Sequence, residues 1–222
     1  MTVIEPPRID PQNPSHIKKN SAPVRFWHWA NAIVITGSLL TVLLNSTLTN
    51  GRSNSTLIQN QLKDAGASVT NEQARSAAHA LSDKVWEVHT YFGYCLAALL
   101  LFRLIAEFFQ VADQKFIRKF KSIYSQYRSA SGNKIIRHDF VVKTLYAMFY
   151  LLLIIMATTG LCLAFEDDIA ALKKIHSIRE IHGFCMYLIL AFIVVHLAGV
   201  FLAERKDSAG IVSDMINGGE DK

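Results

Sequence analysis

Charged side chains are missing from four long stretches of this 222-residue sequence: residues 26–51, 88–102, 144–165 and 181–203. All but the second are long enough by themselves to cross a hydrocarbon core ~30 Å thick. The second reaches spanning length by running on through Arg103 to about residue 106, with the arginine snorkelling near a helix end. Soluble cores rarely bury four such helices in succession, so the pattern predicts an all-α integral membrane protein, a four-helix bundle. Cysteine is scarce as well: Cys95, Cys162 and Cys185 fall inside those stretches and form no Cys-x-x-Cys pair. That excludes a covalently attached c-type haem, argues against a zinc cluster, and leaves the thiols as small packing residues. A cleavable leader is also missing. The first twenty residues carry Glu5, Pro6, Pro7, Asp10, Pro11 and Pro14 and no apolar run. This is the composition of a disordered tail, so the first hydrophobic helix is expected to direct insertion itself. No internal repeat and no second folded domain is evident.

What is present gives the layout. A tail of residues 1–22 leads into a transmembrane domain at 23–204, followed by a polar tail at 205–222. Within the domain, helices are expected at about 24–44, 83–108, 139–165 and 177–203, with 71–82 as a short surface helix in the first loop. Ile211, Val212, Met215 and Ile216 are spaced for an amphipathic turn or two, lying on the inner membrane face or on a partner. Basic residues fix the orientation. Lys115, Arg118, Lys119, Lys121, Arg128, Lys134 and Arg137 crowd the middle loop, against only Asp113 and Asp139. Lys18, Lys19 and Arg25 precede the first span, and Arg205 and Lys206 follow the last. The first loop is poor in them, holding Arg52, Lys63, Arg75 and Lys84. The positive-inside rule therefore places both termini and the middle loop in the cytoplasm. The net charge of +5 is a topology signature. Its partner is anionic lipid, and nothing requires nucleic acid.

Histidine carries the chemistry. His182 and His196 stand fourteen residues apart in the last charge-free stretch. That interval is within ~40° of four whole helical turns, so both rings leave one face ~21 Å apart along the axis. Ionisable groups at such depths point to function. His28 lies about one turn into the first span, on the cytoplasmic side, and His89 about one turn into the second, which enters from outside. His182 is then outer and His196 inner. Depth allows one simple pairing: His89 with His182 across an outer haem, and His28 with His196 across an inner one, the haems lying between the helices. A single intramembrane histidine is as often a helix-to-helix hydrogen bond or part of a proton path. Four at two matching depths favour coordination. His16, His79, His138 and His176 lie in tails, loops or helix ends and are not counted as ligands.

Arg103 follows His89 by fourteen residues and should face the haem side near the inner level. It suits either a haem propionate, through paired hydrogen bonds, or inner headgroups with Glu107 as its partner. Gly93 and Gly183 lie beside ligands, where a missing side chain would admit a flat macrocycle or serve plain helix packing. Gly37 points away from His28. Phe26, Trp27, Trp29, Trp86, Tyr91, Tyr146 and Tyr150 gather near helix ends as an interfacial belt, a minority of them available to line a quinone pocket.

The segment Ala22-Pro23-Val24-Arg25-Phe26-Trp27-His28-Trp29 resembles the opening of the cytochrome b subunit of membrane-bound nickel–iron hydrogenases, within the wider bacterial cytochrome b-561 group. Ile175-His176-Ser177, His182-Gly183 and the interval to His196 are similar to that family's last ligand helix. The run from Ile211 to Gly218 is similar to its C-terminal motif. The resemblance implies two b-type haems on helices one, two and four, matching His28, His89, His182 and His196. It also implies a place in the bacterial inner membrane, electrons received from the iron–sulfur chain of a periplasmic partner, and quinone as acceptor. The expected function is thus a di-haem subunit relaying electrons from a periplasmic dehydrogenase, a hydrogenase foremost, with quinone reduction its only chemistry. One rival is a freestanding quinone-linked oxidase of a small oxidant such as superoxide. Another, of a different class, is a transporter whose histidines bind metal or relay protons.

Overall fold

The computed structural model describes residues 8–10, 13–18, 22–109, 134–169, 171–172, 175–206 and 210–218. Six helices are seen: α1 (Ala22–Thr47), α2 (Gly51–Asp64), α3 (Asn71–Phe109), α4 (Lys134–Ala164), α5 (Ser177–Lys206) and α6 (Ile211–Asn217). α1, α3, α4 and α5 are the four with the length and apolar composition to cross a membrane. Within the segment expected to be a disordered tail, β1 (Arg8–Asp10) pairs antiparallel with β2 (Asn13–Lys18), Ile9 opposite Ile17. The fold is otherwise helical, a membrane bundle. Large apolar side chains face outward along the spans, among them Ile33, Leu151, Val194, Leu197 and Phe201. In lipid this is the low-energy arrangement, because tails solvate such side chains as well as a protein core does.

Besides the β1–β2 pair, two helical elements differ from the sequence reading. Residues 71–82 are the first three turns of α3, continuous with the span, and no separate surface helix forms. α3 therefore has 39 residues and is about 58 Å long at 1.5 Å per residue, roughly twice the thickness of a hydrocarbon core. Its start is set by a capping box: Thr70 Oγ1 accepts from the Gln73 amide (3.3 Å), and Gln73 Oε1 accepts from the Thr70 amide (2.9 Å). With no glycine or proline until Gly93, nothing interrupts the helix between that cap and the apolar stretch. The other difference is α2, which occupies what was expected to be loop. Asn50 caps it by accepting from the Arg52 amide (3.1 Å), and it ends where Gly66 takes a positive φ of 83°.

By contacts the chain falls into two compact units, one of Asn31–Ala98 and the other of the start of α1 to Ala30 together with the chain from Leu99 onward. In the first unit, α1 meets α3 through a stripe of small and polar residues. Gly37 is so close to Phe92 that an added Cβ would lie 2.5 Å from the ring. Thr41 meets His89, and the buried Asn45 accepts at Oδ1 from Ser82 (2.7 Å) and Thr49 (2.6 Å). Positions rise along α1 as they fall along α3, so the helices are antiparallel here. Ala74 and Ala78, both fully buried, seat the start of α3.

In the other unit α4 packs antiparallel on α5. Phe149 stacks on Phe192 (4.4 Å, 18°), and near the opposite end Thr159 and Gly160 meet His182. Leu152, Leu153 and Ala157 of α4 and Cys185 and Ile189 of α5 form the buried seam. α6 is the expected short amphipathic helix. Glu204 accepts from the amides of Gly210 (2.8 Å) and Val212 (3.3 Å), and the Trp29 indole donates to the Met215 carbonyl (3.1 Å).

Candidate functional site

α1 delivers His28 and α5 delivers His196 to one place. Their ring centres are 6.2 Å apart with a 57° tilt between the planes. An imidazole nitrogen sits about 2 Å from a metal it binds and about 1.1 Å from its own ring centre. Two imidazoles holding one metal ion between them would therefore have ring centres about 6.3 Å apart. The observed spacing would let His28 and His196 hold such an ion. Other aromatic rings fix the two imidazoles. Trp29 presents its edge to His28 (5.2 Å, 90°), and Phe192 lies parallel to His196 (5.9 Å, 7°) with Phe149 stacked behind it. Nδ1 of His28 is buried and has no hydrogen-bond partner among the described residues.

His89 stands on α3 with its Nδ1 2.8 Å from Thr41 Oγ1 and 3.4 Å from Ser38 Oγ, both on α1. The Trp86 ring meets it edge-on at 5.3 Å. His182, on α5, has its Nδ1 2.9 Å from Thr159 Oγ1 of α4. Beside it Gly160 leaves room for the ring, since a Cβ there would lie 3.2 Å from Cε1 of His182. The glycines expected to matter, Gly93 and Gly183, face open space.

Arg103 is held by an aromatic pair. Its Nε donates to the Tyr150 hydroxyl (3.1 Å), and its guanidinium carbon lies 6.0 Å from the ring centres of both Trp27 and Tyr150. Those rings stack on each other (5.4 Å, 21°), and the Trp27 indole donates to the Leu99 carbonyl (3.0 Å). Trp27 and Tyr150, which the sequence suggested for an interfacial belt, are thus engaged within the protein. The Glu107 side chain, the alternative partner, lies outside the described residues, as do those of His16 and His138. His79 sits against Gly51, and His176 is exposed before α5.

Sequence reasoning missed Thr41, Thr159, Ser38, Gly160 and Phe192. The only signal was a hydroxyl residue inside an apolar helix, and such residues commonly just hydrogen-bond their own backbone. α4 carries no expected ligand, so nothing in its sequence marked Thr159 or Gly160.

Unbroken spanning helices that carry imidazoles at membrane depth define a class, the membrane-embedded redox or metal-binding bundle. Within it, the profile of the prokaryotic cytochrome b561 family matches residues 19–218, and the chain belongs to that family. No curated protein and no solved structure matches it. It is a transmembrane b-type cytochrome of electron transfer, with haem b as its cofactor.

Proposed function

We propose that the chain is a di-haem subunit carrying electrons from a periplasmic dehydrogenase, of the nickel–iron hydrogenase type, to the quinone pool of the bacterial cytoplasmic membrane, with both termini cytoplasmic. The 6.2 Å separation of the His28 and His196 rings carries this reading, because it suits one iron between two neutral imidazoles. His89 and His182 are assigned the second haem by their matching depth in the sequence. Haem iron supplies a one-electron carrier. The protein's part would be to hold it with two histidines, and a metal so held would have no position for substrate, which would limit the chain to relay. Arg103, with Trp27 and Tyr150 around it, is assigned to a propionate. The α2 helix and the overhanging start of α3 favour a docked donor over a freestanding oxidase. The unbroken α1, α3, α4 and α5 disfavour a transporter, whose substrate sites use interrupted helices.

The test is haem content. Detergent-purified protein should give two b haems per chain in a pyridine haemochrome assay, and His28→Ala should remove one and keep the other. One haem in the parent protein, or loss of both on substitution, would refute the assignment.

A further inference from the structure

Two of the four proposed ligands share a device that the other pair does not repeat at His28. A threonine hydroxyl on a neighbouring helix touches Nδ1 of His89 and of His182, at 2.8 and 2.9 Å. Each hydroxyl also makes a short contact with a main-chain carbonyl of its own helix: Thr41 Oγ1 to Ser38 O at 2.6 Å, and Thr159 Oγ1 to Ile155 O at 2.7 Å. A carbonyl oxygen brings no hydrogen, so the threonine's single proton must lie on that contact. The hydroxyl is left as an acceptor towards the imidazole. The hydrogen bridging to Nδ1 therefore belongs to the ring, and the neutral histidine is the tautomer with its lone pair on Nε2.

We infer that Thr41 and Thr159 are positioning residues for the haem ligands His89 and His182, fixing their tautomer and lowering the potential of the iron they bind. The inference rests on the reading that these histidines ligate haem. A ring N–H that donates a hydrogen bond makes the opposite nitrogen more basic, and a more basic ligand stabilises the ferric state over the ferrous. His28 has no such partner for its buried Nδ1 among the described residues. Haem held by His89 and His182 would then have its potential lowered by a contact that His28 lacks.

The experiment is a potentiometric titration of the purified holoprotein with Thr41→Val, Thr159→Val and the matching serine variants. Valine keeps the volume and removes the acceptor, whereas serine restores it. Each valine variant should raise the midpoint of the haem that its histidine holds, by about tenfold in the oxidised-to-reduced ratio, ~59 mV for one electron. Each serine variant should return it towards the parent value. Loss of that haem in a valine variant with retention in the serine variant also supports the inference. Unchanged potentials with both haems bound overturn it, as does a shift that serine fails to reverse, which would mark a packing effect. If Thr41→Val and Thr159→Val move different haems, the pairing of His89 with His182 fails while the role of the threonines stands. A parent protein with fewer than two haems refutes the underlying assignment.

Discussion

An imidazole that binds metal must present one nitrogen, in one protonation state, at one angle. The surroundings of the four histidines proposed as ligands would meet that requirement by different means. Hydroxyl groups hold His89 and His182, whereas ring contacts hold His28 and His196. Space matters as much as bonding at His182, where the missing side chain of Gly160 gives the ring its place. On the proposed ligation, Gly160→Leu should push that ring out of line and cost the chain the haem that His182 holds, with Gly160→Ala milder. Haem analysis of both variants checks this, and retention of both haems in the leucine variant counts against it. The histidines were legible in the sequence because a titratable group stands out in a charge-free stretch, and a fourteen-residue interval maps onto one helix face by arithmetic. Thr41 and Thr159 were not, because the sequence of α1 or α4 does not say which helix lies opposite.

Among the elements, the spans were legible since length and lack of charge are enough to specify them. α2 was not, because it buries no side chain and has no apolar run to announce it. The continuity of α3 was readable in principle from the Thr70 to Gln73 capping pattern and the unbroken run of helix formers after it. That cap is local. Thr70→Ala should destabilise the first turns of α3 by about 1 kcal/mol, leaving the spans and the haem content unchanged. Hydrogen exchange should show faster amides at the start of α3 and unchanged amides around His89. Protection lost as far as His89 would mean that the overhang and the span melt together.

At the scale of the whole molecule, family membership gives the cofactor class and the outward apolar surface gives the solvent. The donor proposed for the chain would need a polar surface to dock on. Among the described residues, α2 and the first turns of α3 offer one. Replacing α2 with a flexible glycine–serine segment of equal length should leave the haem spectrum unchanged and abolish co-purification with an iron–sulfur donor. A complex that survives this replacement would place donor docking elsewhere.

The parallel rings of Phe149, Phe192 and His196 (18° and 7° between successive planes) bear on how the imidazole behaves before anything is loaded beside it. A ring lying along a run of flat side chains has few attitudes open to it. His196 should therefore keep its aim in the empty protein, so that filling the site demands little rearrangement there.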